Sequence, residues 1–154
     1  MVARTYYGLG PKEAAVGRFD SLSPFVLEMW ALQGECTPFS QDDMAMGIAF
    51  DGLETAAFHF TRRPHFYFQL ERPPARDSNG RLKDRREATA AFDALTPYAN
   101  ALRLMQVGCR PFGADYKAIA IAQECLDTAA FHFTRLARFY GSKADSSGPL
   151  GAPR

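Results

Sequence analysis

The decapeptide LETAAFHFTR at Leu53–Arg62 returns as LDTAAFHFTR at Leu126–Arg135, 73 residues further on. Without a gap, 23 of the 49 positions from Phe19 to Tyr67 match their counterparts from Phe92 to Tyr140. Such a period constrains folding more than any single motif. Each copy must build the same supersecondary unit, and a unit too small to bury its own apolar face finds cover against its neighbour. The chain therefore reads as a first repeat over 1–70, a charged linker over 71–86, a second repeat over 87–140 and a small, polar tail over 141–154. The linker carries breakers, Pro73-Pro74 and Asn79-Gly80, and reads as a solvated loop. The tail reads as flexible.

Within each copy the signals are helical. Ser23-Pro24 and Thr96-Pro97 pair a capping hydroxyl with a first-turn proline. Each opens a short helix, over 24–33 and 98–107. A proline-containing link follows, with Cys36 and Pro38 in one copy and Cys109 and Pro111 in the other. Ser40, three residues before Asp43, caps a long helix over 41–62 that Pro64 ends, and its counterpart runs over 115–140. His65–Leu70 alternates as a strand does, while the aligned residues of the second copy read as helix. The helical continuation is preferred. The predicted fold class is all-α: a tandem repeat of two helical hairpins packed as a pseudo-two-fold helical bundle.

On a helical wheel Ala45, Ala49, Leu53, Ala56 and Phe60 form one stripe, as do Ala118, Ala122, Leu126, Ala129 and Phe133. Small side chains let backbones approach, so the two long helices are expected to meet through these repeat-core positions. Ile48, Thr55 and His59 flank the stripe. The remaining face carries Phe50, Asp51 and Glu54, aligned with Gln123, Glu124 and Asp127, and is expected to see solvent. Phe58 and Phe131 interrupt that polar face. Either a short helix covers them or they are an apolar contact for another surface or subunit. Phe66, Tyr67, Phe139 and Tyr140 add aromatic area at the same helix ends and join them as candidate interface residues.

Charge narrows the functional classes. The chain has 18 basic and 17 acidic residues, a net charge of +1, so no overall field attracts nucleic acid. No run of about 18 apolar residues exists to cross a bilayer. The first ten residues lack the apolar core of a secretory signal, so a cytoplasmic location and free thiols are expected. No phosphate-cradling glycine loop or nucleophile motif is present, which points away from an enzyme. Arg62 and Arg135 could bind an anion, but arginines at helix C-termini more often answer the dipole.

His59 and His132 admit a cofactor reading, in which two related histidines ligate one haem iron from both sides. Against it, the chain lacks Cys-x-x-Cys-His and an alanine-lined contact leaves no slot for a porphyrin. A di-metal carboxylate site fails on spacing. Glu54 and His59 are five residues apart, as are Asp127 and His132, about 140° on the wheel. Cys36 and Cys109 open the long helices, where the dipole would lower a thiol pKa. They would pair with each other, approach the histidine of the opposite copy, or simply pack.

A short helix, then Cys-Thr/Arg-Pro-Phe, then a long alanine-rich helix, over Val26–Arg62 and Ala99–Arg135, resembles the phasins. In that family a short and a long helix flank a similar link, and the proteins coat polyester storage granules. The duplication, the 13 phenylalanines and the lack of a Gln-rich long helix depart from the family pattern. The resemblance implies that Phe58, Phe131 and their neighbours touch a hydrophobic surface. Two functional classes follow. One is a non-catalytic helical interaction protein that self-associates or binds a hydrophobic partner surface, with no cofactor. The other is a haem- or transition-metal-binding bundle using His59, His132, Cys36 and Cys109.

Overall fold

The structure, a computed structural model, describes residues 6–74 and 80–141. The expected flexibility of the tail concerns residues that lie, after Gly141, outside the described part. Among the described residues the regular structure includes α1 (Lys12–Asp20), α2 (Ser23–Gln33), α3 (Gln41–Thr61), a short 3-10 turn (Arg81–Lys83), α4 (Arg85–Asp93), α5 (Thr96–Val107) and α6 (Ala114–Thr134), and residues 139–141 are helical as well. No strand occurs among the described residues.

Local chemistry sets the ends of the long helices. The Ser40 hydroxyl accepts the Asp43 N–H at 3.2 Å, and the Asp43 carboxylate accepts the Phe39 N–H at 2.9 Å. This reciprocal cap starts α3 where the sequence places it. The shared Thr-Arg stops both helices. Thr61 and Thr134 donate their hydroxyls back to Ala57 O and Ala130 O, both at 2.7 Å, and accept the N–H two residues on. Arg62 and Arg135 then take left-handed backbone, both at φ 60°. α6 therefore ends at Thr134, not at the expected 140, although no proline follows it. His65–Leu70 is a run of turns rather than a helix or a strand, with His65 at φ 55°.

That turn returns the chain to the core. Tyr67 Oη donates to Phe19 O and Tyr140 Oη to Phe92 O, each at 2.6 Å. Phe66, Tyr67, Phe139 and Tyr140 are all buried, which corrects their assignment to an interface. The apolar surface of a ring beside the helix end is worth more inside than out. The expected caps at Ser23 and Thr96 also fail: both residues are already helical, and their buried hydroxyls lack a hydrogen-bond partner.

α3 and α6 share the most extensive helix–helix contact; α1 and α2 pack on α3, and α4 and α5 on α6. The long helices are antiparallel, because the last turn of each meets the first turn of the other. A Cβ added at Gly52 would lie 2.6 Å from Cys125 Cβ and 3.2 Å from Ile121 O, so only glycine permits this crossing. The predicted stripe is buried, Phe60 in part. It does not all face the other long helix, however. Phe60 meets Phe19 of α1 and Phe133 meets Phe92 of α4, both with ring centroids 5.7 Å apart. Each stripe thus also serves its own short helices, while the closest approach runs along the Gly52 edge. Phe25 and Tyr98 stack at 5.5 Å to join α2 with α5.

The linker is anchored rather than wholly solvated. Arg81 Nη2 meets the Glu35 carboxylate at 2.6 Å, and the Arg81 N–H donates to it at 2.8 Å. Glu35 is buried, so this charge-assisted pair satisfies a carboxylate that would otherwise be costly to desolvate. Leu82 is buried beside it.

Candidate functional site

The paired histidines hold the two long helices end to end. His59 Nε2 lies 2.8 Å from Asp115 Oδ1, and His132 Nε2 lies 2.7 Å from Asp42 Oδ1. Each aspartate sits in the first turn of its helix, where a negative charge also suits the dipole. Sequence reasoning missed these partners, although Asp42 and Asp115 are themselves aligned and identical. Antiparallel packing places the histidines at opposite ends. His59 meets Asp115, and 17 residues separate Asp115 from His132, roughly 25 Å at 1.5 Å per residue. One iron cannot take both. No group of three or more metal-ligating side chains gathers among the described residues.

The cysteines follow burial rather than the dipole. Cys36 and Cys109 are free and buried, and each S–H donates to the carbonyl four residues back, Leu32 O and Met105 O, at 3.6 Å. Burial pushes the Cys36 thiol up to about 12, helped by the nearby Asp42, Asp43 and Glu35 carboxylates. Burial and then Asp115 raise Cys109 as well. The expected lowering of these thiols is therefore reversed, because desolvation of a thiolate outweighs a helix end. His132 approaches Asp42 in place of Cys36.

The outward face of the α3/α6 pair is different. Ile48, Phe58, Ile121 and Phe131 are 45%, 43%, 41% and 42% exposed. Neither phenylalanine is covered by a short helix among the described residues. The Arg62 guanidinium sits 5.9 Å above the Phe58 ring and that of Arg135 sits 5.7 Å above Phe131, within cation–π range. Beside each ring lies an open cleft with carboxylates on its rim. The first, about 590 Å³, is lined by Asp51, Glu54, Phe58 and Phe68; the second, about 500 Å³, by Glu124, Asp127 and Phe131. Burial raises the Glu54 carboxyl, while hydrogen bonds from the Tyr67 and Phe66 backbone work against that rise.

One expected solvent position is not solvated. Phe50 is buried, with its ring 5.2 Å from Trp30. Its neighbours Asp51 and Thr55 do face solvent. No protein-family model, curated protein or solved structure matches the chain.

Proposed function

We propose that this chain is a non-catalytic helical interaction protein. In this reading two helical hairpins clasp about a pseudo-two-fold axis near the Gly52–Cys125 crossing, and the α3/α6 face meets an apolar surface. The matched pairs support the clasp: His59–Asp115 with His132–Asp42, and Tyr67–Phe19 with Tyr140–Phe92. One observation carries the functional reading. Phe58 and Phe131, with Ile48 and Ile121, stay exposed on a face that also carries carboxylates and threonines. Apolar side chains paired across such a face mark a contact surface.

A second copy of the chain is the partner that the arrangement favours. A face bearing the same groups at both ends can meet its own image about a two-fold axis. The resemblance to phasins names another apolar partner, a polyester surface, reached through the same two rings. The proposal carries no cofactor, no nucleic acid and a cytoplasmic location. A haem or metal role for His59 and His132 has less support, since each is engaged by an aspartate at its own end of the helix pair.

Sedimentation equilibrium over a range of concentrations tests self-association. A mass rising with concentration is expected, and Phe58→Ser with Phe131→Ser should return it to the monomer. An unchanged mass in the double variant would overturn the assignment of the face. A monomer at every concentration would overturn self-association, and co-sedimentation with polyester particles then tests the second surface.

A further inference from the structure

The two copies differ most where α5 meets α6. In the first copy, Trp30 and Phe50 fill the equivalent place and the exposed Phe68 stacks on them from the solvent side: Phe50 lies 5.2 Å from Trp30 and 6.2 Å from Phe68. Arg72 closes the stack, 5.1 Å above Trp30, and donates to Gln33 Oε1 at 2.8 Å. At the same offset the second copy carries Arg103, Gln123 and Gly141. Three aromatic rings have become a guanidinium, a carboxamide and no side chain. The space they vacate is a cavity of about 290 Å³ between α5 and α6, near the lower end of the range for small-molecule sites, about 300–1,000 Å³.

Its chemistry is asymmetric. Arg103 and Gln123 are half-buried on its wall, and neither makes a hydrogen bond or ion pair among the described residues. Gln106 donates its Nε2 to Tyr116 O at 3.1 Å, as Gln33 donates to Asp43 O in the first copy. Asp127 is already committed: its Oδ1 accepts the Tyr140 N–H at 3.2 Å. Ala99, Leu126 and the Tyr140 ring supply apolar wall, while the Tyr140 hydroxyl is occupied by Phe92 O.

We infer that this cavity is a binding site for a small organic monocarboxylate with a flat apolar body. Arg103 takes the carboxylate as a two-pronged donor, Gln123 adds a hydrogen bond, and the body lies against Leu126 and Tyr140. Asp127 on the same wall disfavours a second negative charge, so dianions are excluded. The site shares Asp127 with the cleft beside Phe131 but does not depend on the proposed association.

Titration of the ¹⁵N-labelled full chain with benzoate, benzamide and inorganic phosphate tests this. Benzoate should shift the Arg103 Nε–H and Gln123 side-chain signals saturably. Benzamide and phosphate should bind at least about tenfold more weakly, the equivalent of about 1.4 kcal/mol. Arg103→Gln should weaken benzoate by at least as much with an unchanged circular dichroism spectrum. Gln123→Phe, which restores the first copy's filling, should abolish binding and raise the melting temperature. Failure of benzoate to shift these signals, equal binding of benzamide, preference for phosphate, or full binding by Arg103→Gln would each overturn the inference.

Discussion

The helices α2 and α3 and their counterparts α5 and α6 begin from matching anchors and end with different surroundings. Phe19, Leu53 and Tyr67 recur as Phe92, Leu126 and Tyr140, and all six are buried. Around them the first copy packs Trp30 and Phe50, with the exposed Phe68 stacked on Phe50, while the second leaves a polar-edged cavity. The first copy also holds Glu35, which ties down the linker through Arg81; its counterpart, Gly108, instead accepts the Gly8 N–H at 2.9 Å. The difference teaches that the shared framework lies in the long helices and their tyrosine anchors. The outer layer of each copy was free to take up a different task.

The most sweeping test treats both copies alike. Burial holds the Tyr67, Tyr98 and Tyr140 phenols well above their ordinary 10.0, and the Cys36 thiol at about 12. These acids have raised folded-state values. Their contribution to stability is complete below pH 9–10 and is lost as pH rises through the folded values. Helical ellipticity and phenolate absorbance for these tyrosines should therefore change together above about pH 10. Separate titration of Tyr140 while Tyr67 stays protonated would show that the copies unfold independently.

Core truncation separates the copies. Leu53→Ala removes a fully buried side chain from the core and should cost about 4 kcal/mol. Leu126→Ala opens onto the existing cavity, where water can relax the void, and should cost about 2 kcal/mol. Urea midpoints decide it, and equal losses would mean that the cavity is closed in solution. Arg81→Met acts on the first copy alone. It removes the guanidinium from the buried Glu35 carboxylate, which keeps the backbone N–H of residue 81, and should cost about 3 kcal/mol at pH 7. The smallest effect should again be symmetric. His59→Ala and His132→Ala each remove a partly exposed contact with an aspartate and should cost about 0.5 kcal/mol apiece. A loss several times larger at one of them would mark that end of the clasp as the tighter.

Much of the fold was legible because periodicity and caps act locally. The 73-residue offset, the Ser40 cap and the buried alanine stripe all follow from neighbouring residues on a helix. The end of α6 is also written locally, in the Thr-Arg pair that it shares with α3, whereas Pro64 follows only the first copy. The candidate sites were less legible. Phe58 and Phe131 could be singled out because they interrupt a polar face. Arg103, Gln123 and Gly141 could have been found only by asking what the same offset replaces, and Phe50 gave no sign of being buried, since its wheel position is shared with acids.

Alone, the order of residues determined that this chain is helical and duplicated, and where most of its helices begin. Only tertiary structure decided that His59 meets Asp115, that Cys36 stays protonated, that Gly52 lies under Cys125, and that one copy is filled where the other is hollow. The reason is one of range. Caps and helical periodicity are set by residues a few positions apart, whereas desolvation, ion pairing and cavity volume depend on groups that the sequence separates by tens of residues and packing brings within a few ångströms.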